Sequence, residues 1–158
     1  MKRTGIGVFC VVITLFAVVF GLVACDKTET APTTEAFDAE SAFSRLLSEV
    51  KYAETLADTS SAAEFTFSDL PKDSEVKMYS CESGSHPDEL ILLKAAADSD
   101  VSALEQAART HLSELVSQLK DYNPQEVPRV ENAVVVTKGL YVFVCVTDDT
   151  ETAKAILE

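Results

Sequence analysis

The first 25 residues constrain this chain most, because they decide which part of it can fold as a domain. Lys2 and Arg3 precede an apolar stretch over residues 5–24, in which Thr14 is the only polar side chain. A cationic start followed by an apolar segment is typical of a secretory signal peptide, whose charged end stays in the cytoplasm. Residues 1–24 are therefore interpreted as a signal peptide and are left out of the fold.

The stretch ends in Leu22-Val23-Ala24-Cys25. The first three residues fit recognition by the signal peptidase of lipoproteins, and Cys25 follows the cut, where its thiol would receive diacylglycerol. An uncleaved transmembrane helix is the alternative, since about 20 apolar residues cross a bilayer, but only the lipoprotein interpretation explains the position of the cysteine. Both interpretations predict a domain on the outer face of the cell membrane, held in the first case by acyl chains such as palmitate.

Charge and glycine content exclude several classes of function. Removing Lys2 and Arg3 from the 13 basic side chains leaves 11 against 26 acidic ones, so the net charge changes from −13 to −15. A chain this acidic is repelled by phosphate backbones, which excludes nucleic acid as a partner. Only Gly84 and Gly139 remain after residue 24, too few for a glycine-rich phosphate cradle. We therefore expect no nucleotide and no cofactor.

Composition divides the remaining chain into a tether and one domain. Residues 26–37 are rich in Thr, Glu and Ala, contain Pro32 and show no apolar periodicity, which is typical of a flexible segment. Residues 25–37 are thus predicted to be a lipidated cysteine and its tether. Residues 38–158 have the length of a single domain.

Hydrophobic periodicity predicts an α+β domain, a small antiparallel sheet packed with helices in the order α-β-β-α-β-β-α. Asp38 is the predicted N-cap of the first helix, and residues 59–74 are ambiguous, with a possible short strand over 64–67 and a turn over 70–73. The predicted elements are a helix over 39–57, strands over 76–81 and 90–96, a long helix from 98–100 to 122–124, strands over 133–137 and 140–147, and a helix from about 150 to the end.

The last two strands form a predicted hairpin with Lys138-Gly139 as its turn, which places Val136 opposite Tyr141. Both faces of this hairpin are apolar, whereas a solvated antiparallel sheet is polar on one face. Either helices cover both faces, or part of one face is an open groove or partner surface.

Two cysteines remain once Cys10 leaves with the signal peptide and Cys25 carries lipid. Cys81 and Cys145 could form a disulfide, which persists in exported proteins, or stay as separate buried thiols. The sequence leaves both open, because a disulfide needs Cα atoms within about 7 Å of each other.

Few residues are candidates for chemistry. Cys81 and His86 would form a thiolate–imidazole pair in a thiol-dependent hydrolase, but no orienting third group is marked in the sequence. His111 lies at the edge of the apolar stripe of the long helix. Two histidines without paired cysteines argue against zinc. Acidic pairs at 98/100 and 148/149 precede helices, so they are interpreted as helix caps rather than a calcium loop; we expect no metal site.

Three strings carry a resemblance to a known family: DELI at 88–91, KDYNP at 120–124 and KGLYV at 138–142. Together with the helix that carries Arg109, they resemble a family of exported lipoproteins found mainly in Gram-positive anaerobes, catalogued as domain of unknown function four-three-five-eight. The resemblance covers about residues 75–157. It implies an extracytoplasmic address and a structural ion pair between Glu89 and Arg109, and it implies no reaction.

The expected function is therefore that of a membrane-anchored extracytoplasmic binding or interaction module, not an enzyme. Its partner would be an envelope protein or a small ligand. Two alternatives stay open: the thiol-dependent hydrolase that uses Cys81 and His86, and a purely structural envelope protein.

The intact mass of the membrane-extracted protein tests the predicted anchor. We expect the mass of residues 25–158 plus acyl chains, because cleavage before Cys25 follows transfer of the lipid. An unacylated mass that retains residues 1–24 would show a helix-anchored protein in which Cys25 has no special role.

Overall fold

The computed structural model describes residues 37–158; Leu22, Val23, Ala24, Cys25 and nearly all of the tether lie outside them. Five strands form one antiparallel sheet in the order β1-β2-β3-β5-β4. The strands are β1 (Leu56–Asp58), β2 (Glu75–Cys81), β3 (Glu89–Lys94), β4 (Val134–Lys138) and β5 (Tyr141–Val146). The helices are α1 (Ala39–Glu49), α2 (Ala63–Thr66), α3 (Val101–Tyr122), α4 (Val127–Glu131) and α5 (Thr150–Leu157). The predicted α+β class and antiparallel sheet are confirmed.

Helices cover both faces of the sheet, which explains why its central strands β3 and β5 are apolar on both sides. On one face Phe143 packs in a cluster with Leu46 of α1 and Leu157 of α5. On the other face Val142 belongs to a cluster with Leu104 of α3. Of the two explanations for the apolar hairpin, helices on both faces is the one that the structure has, and the alternative of an open face does not hold at its central side chains, which belong to the core.

The β4–β5 hairpin has a different register from the predicted one. Val136 lies opposite Phe143, and Lys138 pairs with Tyr141, so the two loop residues are 139 and 140. Gly139 has φ +56°, a left-handed conformation that favours glycine at this first loop position. The predicted register is off by two residues. Each side chain of the hairpin still lies on the predicted face of the sheet, because side chains alternate between the faces with a period of two.

The first helix begins as predicted and ends early. Ser41 N donates to Asp38 Oδ1 at 3.0 Å, which confirms the N-cap, but α1 ends at Glu49 instead of residue 57. Beyond it, Lys51 N donates to Asp149 Oδ2 and Ala53 N to Asp88 Oδ1, each at 3.1 Å. These long-range bonds replace the intrahelical bonds that the apolar spacing predicted.

The structure also changes the predicted capping roles of the acidic pairs at 98/100 and 148/149. Residues 98–100 form a 3₁₀ turn, and neither Asp98 nor Asp100 makes a side-chain capping bond to α3. Asp149 precedes α5 and accepts a hydrogen bond from Thr152 Oγ1 at 2.8 Å, whereas Asp148 pairs with Arg129. The sequence prediction missed α4 and also β1, which overlaps the end of the helix predicted over 39–57. Within residues 37–158, no helix is long and apolar enough to cross a membrane.

Replacing Phe143 by Ala tests the two-sided burial. Phe143 is fully buried, so its truncation should lower the free energy of unfolding by about 3–5 kcal/mol. Tyr122→Ala is the matched aromatic control, because Tyr122 is exposed and its loss should cost less than about 0.5 kcal/mol. Equal, small losses in denaturant titrations of both variants would contradict a core position for Phe143.

Candidate functional site

A groove with a volume of about 430 Å³ lies between α3 and the segment 65–70, which spans the end of α2 and the chain after it. The wall formed by α3 consists of Ala103, Gln106, Ala107, Thr110, His111 and Glu114. These positions recur at spacings of three and four and so share one side of the helix. Ala103 and Ala107 keep that side shallow, and Gln106 Nε2 donates to Thr110 Oγ1 at 3.3 Å.

Two aromatic side chains define the opposite wall. Phe67 is buried in the core cluster of α3, and the centroid of its ring is 5.3 Å from that of His111. Phe65 is 90% exposed and lines the groove. The buried ring therefore fixes the segment against the core, while its neighbour two positions earlier stays in solvent.

The possible short strand predicted over 64–67 is wrong, because residues 64–66 belong to the helix α2 and Phe67 is its C-cap. A strand would have placed Phe65 and Phe67 on the same face, and their alternation in sequence favoured that interpretation. A signal for the helix lies upstream: Asp58 Oδ1 accepts a hydrogen bond from Ser60 N at 2.9 Å. Such an Asx turn often begins helical structure, and the string Asp-Thr-Ser-Ser could have indicated it.

A buried hydrogen bond between a histidine and a carboxylate lies beneath this groove. His111 Nε2 is 2.8 Å from Glu89 Oε1, and Glu89 is only 4% exposed. Burial alone would lower the pKa of His111, but the hydrogen bond and charge of Glu89, with a smaller effect of Glu114, raise the pKa above its ordinary value. When the imidazole is protonated, its charge neutralises a carboxylate that burial would otherwise destabilise.

The predicted pair between Glu89 and Arg109 is wrong. Arg109 is exposed and lies two residues before His111, about 200° away around α3. The partner of Glu89 is the helix-edge histidine, a residue to which the sequence prediction gave no role.

A second polar cluster fastens α4 to the sheet. Asp88 is 1% exposed; its Oδ2 pairs with Nη1 of Arg129 and its Oδ1 accepts from Ala53 N. The same guanidinium contacts Asp148 Oδ2 at 2.7 Å and Glu126 Oε2 at 3.1 Å. Three carboxylates therefore surround Arg129, which leaves its charge compensated within the protein. The cluster therefore holds α4 against the sheet, and its compensated guanidinium does not form an anion site.

Cys81 and Cys145 are free, buried thiols, so the possible disulfide between them is not formed. The two residues lie on β2 and β5, which flank β3 on opposite sides. Two strand spacings separate them by about 9–10 Å, beyond the reach of a disulfide. The alternative of separate buried thiols is the one that the structure has.

The geometry does not support a thiol nucleophile. Burial raises the pKa of Cys81, and the charges of Asp88 and Glu54 raise it further, which disfavours the reactive thiolate. His86 Nδ1 lies 3.4 Å from Glu126 Oε1, and no hydrogen bond joins Cys81 to His86 within residues 37–158. The two side chains do line a common cavity of about 180 Å³.

The other thiol is still less reactive. Burial raises the pKa of Cys145 to about 11, and the hydroxyl of Tyr52 lies 3.4 Å from its Sγ.

In the part of the chain that the structure describes, no three His, Cys, Asp or Glu side chains are grouped so that they could hold a metal ion.

Residues 71–147 match the family described as Domain of unknown function (DUF4358). This is the family that the three sequence strings indicated, and its description names no reaction. The match includes β2 to β5 and the α3 wall of the groove, whereas Phe65 lies upstream of it. Neither a curated protein nor a solved structure matches the chain.

The pair of His111 and Glu89 predicts a pH-dependent stability. Because the pKa of His111 is higher in the folded state, its contribution is fully present below the unfolded value near 6.5 and is lost as pH rises through the folded pKa. The free energy of unfolding should fall over this range with a slope of at most about 1.4 kcal/mol per pH unit.

Denaturant titrations across this pH range measure the slope. His111→Gln should remove it, while His86→Gln, which removes the other histidine of the chain, should keep it. An unchanged slope in His111→Gln would mean that another group is responsible.

Proposed function

We propose that the protein is a lipid-anchored extracytoplasmic binding module, and that the groove beside Phe65 is its ligand site. The address is supported by the cationic and apolar N-terminus that ends in Cys25, and by the resemblance to exported lipoproteins of Gram-positive anaerobes. A tether over residues 25–37 would leave the domain free to meet ligands close to the membrane.

The exposed ring of Phe65 is the observation that carries the binding site. A phenylalanine that is 90% exposed gains almost no burial from the fold, although burying such a ring contributes about 1.5–3 kcal/mol. Here it stands at the edge of the groove of about 430 Å³, which combines apolar and polar lining. An exposed apolar group beside a concave surface is typical of a ligand or protein contact.

Contacts within the protein hold both walls of the groove in place without a ligand. Phe67 is packed into the core below α2, and the hydrogen bond from His111 to Glu89 fixes α3 against β3. A site built on fixed walls loses less conformational entropy on binding than a site that must first be ordered. The groove is therefore suited to saturable binding, which a purely structural envelope protein would not need.

The thiol-dependent hydrolase is the weaker proposal. The raised pKa of Cys81 and the contact of His86 with Glu126 both oppose a thiolate–imidazole pair. We propose binding without catalysis for this reason.

Substitution of Phe65 tests the proposed site. The probes are three six-residue peptides that share leucine at alternating positions and carry lysine, serine or glutamate at the others. At least one should bind the full chain saturably. Phe65→Ala should weaken that binding by about 10- to 100-fold, because burial of the ring contributes about 1.5–3 kcal/mol.

Tyr122→Ala is the matched control, since this exposed aromatic residue lies outside the groove. It should leave the dissociation constant within about twofold of the original. Absence of saturable binding for all three peptides, or equal losses in both variants, would contradict the proposed site.

A further inference from the structure

We infer that the groove beside Phe65 accepts a cationic, partly apolar peptide segment of an envelope protein. This inference rests on the proposed function and names the ligand class of the same site. The first observation is the charge of the lining: Asp69 stands on one wall and Glu114 on the other, and both are exposed. Among the described residues that line the groove, none is Lys or Arg.

The histidine at the base of the groove does not reverse this charge. His111 is hydrogen-bonded to buried Glu89, so protonation of its ring is balanced by the carboxylate behind it. Asp69 and Glu114 form no salt bridge within the described residues, and they therefore decide the sign of the field in the groove. The whole chain has the same sign, with a net charge of −13, and it attracts cations over a longer range.

The uncharged lining suits the rest of such a segment. The face of the Phe65 ring attracts ammonium and guanidinium groups, and the methylene stems of Lys and Arg pack on apolar surface. Ala103 and Ala107 let a peptide backbone approach α3 closely. Gln106 and Thr110 supply side-chain polar groups beside them, which can exchange their mutual hydrogen bond for bonds to a backbone.

The length of the groove favours a peptide over a single small amine. Its α3 wall runs from Ala103 to Glu114, eleven helical steps of about 1.5 Å, or about 16 Å. An extended chain advances about 3.3 Å per residue, so about five residues fill this length. Asp69 and Glu114 would then meet basic side chains at different points along the segment.

Binding of the lysine, serine and glutamate peptides to the full chain in phosphatidylcholine nanodiscs at 150 mM salt tests the ligand class. The lysine peptide should bind at least tenfold more tightly than the serine peptide. The double variant Asp69→Asn/Glu114→Gln should lose at least fivefold in affinity for the lysine peptide. The matched control is Glu82→Gln/Glu131→Gln, which removes two exposed carboxylates outside the groove and should lose less than twofold.

Each other outcome overturns a defined claim. Equal losses in the two double variants would mean that the overall acidity of the chain attracts the peptide, and this would overturn the inference. Equal affinity for the serine and lysine peptides, with both depending on Phe65, would overturn the ligand class and leave the proposed function intact. Binding of the lysine peptide that is unaffected by Phe65→Ala would overturn both.

Discussion

Burial of both faces of β3 and β5 is the constraint on which the rest of this structure depends. These adjacent strands are apolar on each side, so a helical layer must cover each face. α1 and α5 supply one layer, and α3 and α4, together with Phe67 after α2, supply the other. Because α3 can turn only part of its circumference to the sheet, its outer flank remains free. The groove forms where that flank meets the chain that follows α2.

Two consecutive carboxylates at the start of β3 join this frame to its neighbours. Asp88 pairs with Arg129 and thereby ties α4 to the sheet, while Glu89 pairs with His111 and ties α3 to it. A buried carboxylate without a partner is strongly destabilising, so each of these helices has to keep its position. The contact between Glu89 and His111, which stabilises the fold, thus also holds α3 in place as a rigid wall of the groove. The same pairing balances the charge of His111 and leaves Asp69 and Glu114 to determine the charge of the groove.

The features of the fold that could be predicted from the sequence are those that local apolar periodicity determines. The antiparallel sheet, α3 and the opposite faces of the last hairpin follow from regular apolar spacing, and the N-cap Asp38 follows from its position before an apolar run. Long-range bonds determined the rest. The apolar residues beyond Glu49 still recur at helical spacing, but the backbone N–H groups there donate hydrogen bonds to distant carboxylates. The partner of Glu89 depends on how α3 is rotated against the sheet, which decides between two residues only two positions apart. The alternation of Phe65 and Phe67 imitates a strand, and only tertiary packing shows that one ring is buried and the other free.

Amide chemical shifts of the isotope-labelled full chain, followed during titration with the lysine peptide, test the central claim most directly. The proposed site predicts saturable shifts concentrated in two stretches, residues 63–70 and 103–114, which approach each other across the groove. Tyr122, at the far end of α3, should keep its shift. Shifts spread over α1, α5 and β4, or shifts that rise without saturation, would contradict a ligand site in this groove.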